Sequence, residues 1–335
     1  MLQYSYGPVL HIDRHAKHMF LRQFHYLVAL EQEGHFGRAA KRCHVSQPSL
    51  SSAIKQLEEE LEIPIILRHQ RFQGFTEEGK RVVEWSKRIL ADREGMLEEL
   101  AIMRENLKGC LRIGAMPMSS PVLPVMERLF TTRHNKVKVD IQFMGLEQMK
   151  LALKNFELDV GVTYLENQPL ERLNKLPLYE ERLSLLAPEA YPLDGKDPVT
   201  WAQIAELPLC LLSPSMYERQ MMDEAFAASG VKPEPRVESN SIFQLAFHVM
   251  KGDLATVIPS HFMEVSGGFP GTRRKLLKEP VVSQNIGLVW VQGDPMLPMA
   301  KAVIDIMETA LGNNTFEKIF QDGRVLEAIV KSAAP

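Results

Sequence analysis

Cysteine is scarce in this chain. Its three cysteines among 335 residues, Cys43, Cys110 and Cys210, form no CxxC pair and have no histidine partner at metal-ligand spacing. That argues against a disulfide framework and a metal cluster, and leaves reduced, structurally buried thiols as the ordinary reading. Long apolar runs are missing too: no stretch approaches the ~20 residues of a transmembrane helix, so no membrane partner is expected. The first 18 residues contain no apolar core ahead of a small-residue cleavage site. The expectation is a cytoplasmic protein with Met19 as its natural start and residues 1–18 as a terminal extension. There is no glycine-rich phosphate loop, no His/Cys metal cluster and no GxSxG elbow. An enzyme therefore lacks its parts, and no catalytic residue, metal ligand or cofactor is assigned.

What is present points to several domains. A length of 335 residues exceeds one core, and two or three domains follow from it. Hydrophobic residues at 45% and charged residues at 24% are those of an ordinary packed protein. The formal net charge is -3, but between Phe36 and Leu57 the charged residues are Arg38, Lys41, Arg42 and Lys55, all cationic. A local basic face matters more to DNA than the charge of the whole chain.

Apolar residues Leu21, Phe24, Leu27, Val28 and Leu30 recur at helical intervals, and Gly34 ends that helix. A short helix over 36–43 follows, with Ala39 and Ala40 small enough for close crossing, and then a turn at His44-Val45. Ser46 is a good N-cap and Pro48 suits the first turn of a third helix. Leu50, Ile54, Leu57 and Leu61 form its buried stripe, leaving Gln47, Pro48, Ser49, Ser51, Ser52, Lys55 and Gln56 outward. Such a face suits a major groove, because glutamine can pair with an adenine edge, serine can donate to bases or phosphates, and a helix amino end attracts phosphate. Periodicity alone does not separate this from a solvated helix in another three-helix bundle.

The segment HFGRAAKRCHVSQPSLSSAIKQLEEELEIPIILRHQRFQGFTEEGK strongly resembles the DNA-binding part of LysR-type transcription regulators. The family pattern is carried by Phe36, Arg38, Ala39, Ala40, Val45 to Pro48, Leu50, Ser51, Ile54, Leu57, Glu58, Leu61 and Pro64. The resemblance implies a winged helix-turn-helix over 19–76, with base contacts from Gln47, Pro48 and Ser51 and backbone contacts from Ser49 and Arg68. Ser52 departs from the arginine, glutamine or glycine common in relatives. Ile65 to Leu67 and the turn at Gly74 read as the wing.

Thr76, Glu77 and Glu78 open a long helix, in which Val82-Val83, Ile89-Leu90 and Met96-Leu97 recur seven residues apart and Leu100, Met103 and Leu107 extend the stripe. Such a repeat wants a partner helix or the chain's own sensor. The family resemblance implies dimerisation through residues 77–107, with Val82, Ile89, Leu90, Met96, Leu97 and Met103 at the seam. It further implies a pseudo-palindromic operator in double-stranded DNA, homodimers or homotetramers, and contact with RNA polymerase. Gly95 is a candidate bend.

From Leu111 short apolar strands alternate with helices, which predicts an α/β fold with a parallel sheet whose ligands sit at strand carboxyl ends. That rule points to residues 116–120, 145–147 and 163–164. The rest resembles the family's periplasmic-binding-protein-like sensor over 110–311, with one lobe of 110–181 plus 286–311 and another of 182–285, and with 312–335 as an extension. The resemblance places a small-molecule effector between the lobes, against Met116, Met118, Ser119, Ser120, Leu146, Thr163, Ser213, Asn240 and Ser241. Met118 and Leu146 stand where carboxylate-binding relatives commonly offer hydroxyls, so a partly apolar effector is expected. Ordinary loop and N-cap roles compete for each of these polar residues.

Two other readings stay open. A solute receptor would suit the sensor alone, but it does not need a helix-turn-helix. Some relatives switch by a disulfide between two cysteines of the second lobe, whereas Cys210 is the single cysteine there.

Overall fold

The computed structural model describes residues 19–67, 72–104, 107–166, 169–171, 173–192, 198–266, 268–293 and 295–321. The chain divides into two compact units between Glu94 and Gly95. Among the described residues no helix is long and apolar enough to cross a membrane.

In the first unit α1 (Leu21–Glu33), α2 (Phe36–Arg42) and α3 (Gln47–Leu61) close over a core of Phe24, Leu27, Leu30, Leu50, Ile54, Leu57 and Ile65. Gly34 ends α1 in the left-handed region at φ 60°, where a Cβ would be strained. Gln23 fixes the first crossing: its Oε1 accepts from the Phe20 amide at 2.7 Å and its Nε2 donates to the Ala53 carbonyl at 3.4 Å. Ser46 caps α3, its Oγ accepting from the Ser49 amide at 3.3 Å.

The wing is shorter than a full hairpin among the described residues. Ile66 bridges Phe75 antiparallel, and the Leu67 amide donates to the Gly74 carbonyl at 3.1 Å. What holds it is Glu58, a residue of α3 that is buried although it is acidic. Its Oε1 accepts from the amides of Ile65 at 2.8 Å and Ile66 at 3.0 Å, which joins the recognition helix to the wing. Thr76 accepts from the Gly79 amide at 2.8 Å and so caps α4 (Glu77–Arg104). A Cβ on Gly79 would stand 2.1 Å from the Ile65 carbonyl oxygen, so only glycine lets the helix start this close to the strand.

The apolar stripe of α4 has more than one partner. Val83 is part of the first unit's core, and Val82, Ile89 and Leu90 pack against it. Lys87 is buried with its Nζ 2.8 Å from Glu31 Oε1 on α1. Leu107 belongs to the sensor core rather than to a helix seam, because the chain has already left α4. Gly95 is explained by approach rather than by bending: a Cβ there would lie 2.9 Å from Leu297 Cδ2. By contrast Trp85, Met96, Leu100 and Met103 are 61%, 55%, 45% and 74% exposed, and 3.6-residue turns bring them onto one face. Leu97 is exposed beside them.

The second unit begins with β1 (Gly109–Ala115), α5 (Leu123–Arg133), β2 (Val137–Phe143), α6 (Leu146–Lys154) and β3 (Val160–Tyr164). There follow β4 (Leu173–Pro188), β5 (Val199–Thr200), α7 (Trp201–Ala205), β6 (Cys210–Leu212), α8 (Tyr217–Ala228), β7 (Val237–Ser239) and α9 (Ile242–Lys251). The unit ends with β8 (Thr256–Pro259), α10 (Ser260–Ser266), β9 (Thr272–Lys278), β10 (Ser283–Val291), α11 (Pro298–Gly312) and α12 (Thr315–Gln321). Strands β2, β1 and β3 are parallel, and Asp159 anchors that start by accepting from the Arg112 amide and Nη2, both at 2.7 Å.

The parallel sheet expected from Leu111 onward is found in β2, β1 and β3, and the strand that returns to it is of the other sense. β10 runs antiparallel to both β3 and β4, because the chain leaves one lobe along β4 and returns along β10 in the opposite sense. β4 pairs with β10 over residues 173–182 and with β8 and β9 over residues 183–188, so one strand serves both lobes. In the extension expected from residue 312 onward, residues 315–321 form a helix whose Phe316, Ile319 and Phe320 pack into the core of the second unit. Phe320 lies 4.7 Å from the Tyr179 ring of β4 and 4.1 Å from the His261 ring of α10.

The Glu58 bonds predict a specific cost. Glu58→Ala leaves two buried amides without an acceptor and is expected to lower stability by about 2 to 4 kcal/mol. Glu58→Gln keeps an acceptor oxygen and loses less; urea unfolding of both variants checks this, and equal losses would contradict it.

Candidate nucleic-acid interface and interlobe site

In the first unit the α3 residues named for DNA contact share one face. Gln47, Pro48, Ser49, Ser51, Ser52, Lys55 and Gln56 are all exposed, whereas Leu50, Ile54 and Leu57 point into the core. The 3.6-residue period of α3 produces this separation directly. Ser49 Oγ lies 2.7 Å from Ser46 Oγ and so belongs to the capping turn. Lys55 lies 3.4 Å from Glu59, one turn on, and remains 61% exposed. Arg38 is directed to Glu33, donating from Nη2 to its carbonyl, and Arg42 Nη1 meets Glu33 Oε1 at 3.1 Å. These two cations are held at the junction of α1 and α2. Arg68 lies outside the described residues.

In the second unit the effector residues fall into two groups, one at the carboxyl ends of β1 and β3 and one at those of β6 and β7. In the first, Met116, Met118, Ser119 and Thr163 are buried together. Thr163 donates to Met116 Sδ at 2.8 Å, Ser119 donates to the Met116 carbonyl at 2.7 Å, and Ser120 donates to the Pro117 carbonyl. The protons of these hydroxyls therefore hold their own loop. Leu146, half-buried, begins α6.

In the second group the Ser213 amide donates to the Ser239 carbonyl at 3.0 Å, and Asn240 is exposed. Ser241 caps α9, accepting from the Gln244 amide at 3.4 Å, while its own amide donates to Ser239 Oγ at 3.1 Å. N-cap chemistry thus gives Ser241 an ordinary structural role. The lobes meet through Tyr217 of α8, whose hydroxyl donates to the Glu166 carbonyl at 3.4 Å and whose ring lies 5.5 Å from that of Tyr164.

Of the titratable groups at this junction, sequence reasoning pointed to Tyr164 and missed Tyr179, Glu181 and Glu218. Tyr164, Tyr179, Glu181 and Glu218 are all buried. Burial pushes the Tyr164 phenol well above its ordinary value, and the carboxyl groups of Glu218 and Glu181 add to the shift. Burial also raises Tyr179, with Glu181 contributing, and raises Glu218. A buried carboxyl leaves no periodic signal in the sequence. Cys210 sits fully buried in β6, and burial raises its thiol to about 11; Cys43 and Cys110, expected to be buried, are half-buried.

Comparison with known proteins agrees with both halves of this geometry. Residues 21–80 match the model of bacterial regulatory helix-turn-helix proteins of the lysR family, and residues 104–312 match the LysR substrate binding domain. The DNA-binding transcriptional dual regulator OxyR of Escherichia coli strain K12 is 26% identical over 309 residues, which is 90% of this chain and 99% of that protein. The HTH-type transcriptional regulator XapR of the same strain is 27% identical over 266 residues, 78% of this chain and 88% of its own length. Among solved structures, a full-length OxyR variant from Pseudomonas aeruginosa superimposes with a TM-score of 0.68 at 27% identity, over 87% of this chain and 97% of that one. CbnR in complex with its target DNA shares the fold, with a TM-score of 0.59 at 19% identity over 87% of this chain and 100% of that one. A recognition helix with a bare polar face, a helix leading out of it and a two-lobed domain behind are therefore the parts of one known design, and the chain belongs to the LysR family of DNA-binding transcriptional regulators with an effector-binding domain.

Proposed function

We propose that this regulator reads an operator with the exposed face of α3, pairs with a second copy through α4, and answers a small molecule held between the two lobes. The observation that carries the reading is the α3 face, where Gln47, Pro48, Ser49, Ser51 and Ser52 stand clear of the core at the amino end of a capped helix, without an acidic residue among them. Donors and small side chains suit a groove edge, and carboxylates would repel phosphate. CbnR, which shares this fold, was solved in complex with its target DNA, and DNA binding by this chain is in keeping with that.

Pairing follows from the exposed face of α4. Trp85, Met96, Leu100 and Met103 form an apolar stripe that the described residues of the chain leave in water, and a second copy of the same helix is its natural cover. Two recognition helices then address a pseudo-palindromic site. A cytoplasmic location beside DNA and contact with RNA polymerase belong to this reading.

Several relatives are named hydrogen peroxide-inducible genes activators. In this chain the second lobe has Cys210 alone, buried in β6 with its thiol raised to about 11. The thiolate is the reactive form, so a buried neutral thiol is a poor peroxide target. Noncovalent binding of an effector between the lobes is the better account, and lobe closure then shifts the regulator's balance of states according to the effector's differential affinity.

Three outcomes check this. Gln47→Ala is expected to weaken operator binding by about 1 to 3 kcal/mol with nonspecific binding unchanged, whereas Arg68→Ala weakens both and lowers the salt slope by about one; a purely sequence-specific loss at Arg68 would contradict the assignment. Met96→Glu combined with Met103→Glu places unpaired charges at the seam and is expected to separate the dimer in sedimentation; an unchanged dimer would put the seam elsewhere. Ile89 is a poorer probe, because its side chain packs in the chain's own core. Cys210→Ala is expected to keep the transcriptional response to the inducing condition, and its loss in a reporter assay would return the thiol reading to first place.

A further inference from the structure

The second-lobe wall of the interlobe site carries a carboxyl group that the fold leaves unsatisfied. Glu218, near the start of α8, is 1% exposed, and its Oε1 has no hydrogen-bond partner among the described residues. The neighbouring cation does not serve it. Arg219 donates instead to Asp223 Oδ1 at 2.9 Å, to Glu238 Oε1 at 2.8 Å and to the Leu212 carbonyl at 2.6 Å.

Across the junction Glu218 acts on Tyr164, whose phenol it helps to raise. Tyr164 is 2% exposed, and its hydroxyl is likewise without a partner among the described residues. Beside these lie Tyr179, with an unpartnered hydroxyl, and Glu181, with an unpartnered Oε2; Glu181 Oε1 is 3.0 Å from His261 Nδ1. Buried polar atoms without partners are rare in folded proteins, and where they converge they mark a missing ligand or ordered water.

The charge of the junction decides between ligand classes. A carboxylate effector would meet two carboxyl groups, Glu218 and Glu181, in a site shielded from water. A cation would find a counter-ion in Glu218, and in the rings of Tyr164 and Tyr217, 5.5 Å apart, faces that attract positive charge. Burial raises the Glu218 carboxyl, its place in the first turn of α8 works against that rise, and a cation beside it would restore the ionised form.

We infer that the interlobe site takes an effector bearing a positively charged N–H group, such as a primary ammonium, with Glu218 as its counter-ion and Tyr164 and Tyr217 as its aromatic wall. The inference rests on the reading that the effector binds between the lobes. Glu218 was not among the residues the family resemblance assigns.

The test uses the full-length protein and three probes of matched size: benzylammonium, benzyl alcohol and benzoate. Titration calorimetry is expected to rank benzylammonium first, by about tenfold or more over the other two, and this ranking needs no variant. Glu218→Gln, which keeps the shape, is expected to weaken benzylammonium about 10- to 100-fold with little effect on benzyl alcohol. Benzoate ranked first, an unchanged benzylammonium affinity in Glu218→Gln, or no binding of any probe at about 10 mM overturns the inference. Asn240→Trp, at an exposed position, separates the two levels. If it abolishes binding of all probes while Glu218→Gln changes none, the cleft stands and the charge assignment falls. If benzylammonium binds Asn240→Trp as well as the wild type, the site lies outside the cleft.

Discussion

Strand β4 is hydrogen-bonded into two lobes at once. Residues 173–182 are held by β10 and residues 183–188 by β8 and β9, so neither lobe can complete its sheet without a strand that also belongs to the other. The backbone amides and carbonyls of β4 must be paired along its whole length, since most of its carboxyl half is buried. The requirement fixes where the lobes meet. Tyr179, Glu181 and Leu183, alternate residues of that strand, lie on one buried face that runs across the crossing. Two lobes that share a strand can rotate about it but cannot drift apart, which is the mechanical condition for a cleft that opens and closes around a ligand.

A comparable constraint operates in the first unit through Glu58. One carboxylate oxygen accepts two amides of the wing strand from within the recognition helix. The helix that presents polar groups to solvent on one side is thus tied on its other side to the segment that leads into α4. Reading DNA and positioning the wing are one rigid task, because the same α3 carries both.

Much of this was legible in the residues. The three helices of the first unit, the Ser46 cap and the bare face of α3 follow from 3.6-residue periodicity and N-cap chemistry, both of which are local. What was not legible depends on partners distant in sequence. The stripe of α4 has the right spacing, but periodicity does not say that Val82, Ile89 and Leu90 face the chain's own core while Met96 and Met103 stay in water. The reversed direction of β10 arises from a return across lobes, which no local pattern records. Phe316, Ile319 and Phe320 do carry helical spacing, yet they lie past the point where the family resemblance was drawn to end. At the candidate cleft, hydroxyl-bearing residues were visible as types, but Ser119, Ser120 and Ser241 turn out to hold loop and cap, and the buried carboxyl of Glu218 looks in sequence like any acidic residue in a first helical turn.

The placement of Phe320 has a consequence for how such a switch is set. Its ring lies against Tyr179, on the part of β4 paired with β10, and against His261 of α10, which follows β8 in the other lobe. Any rotation about β4 changes these separations, and aromatic pairs contribute about 0.5 to 1.5 kcal/mol beyond burial. One such pair weights an equilibrium between lobe arrangements by roughly 2- to 12-fold. The last described helix therefore sits as ballast across the two lobes: a change at Phe320 removes ring contacts on both of them without altering a residue of the α3 face.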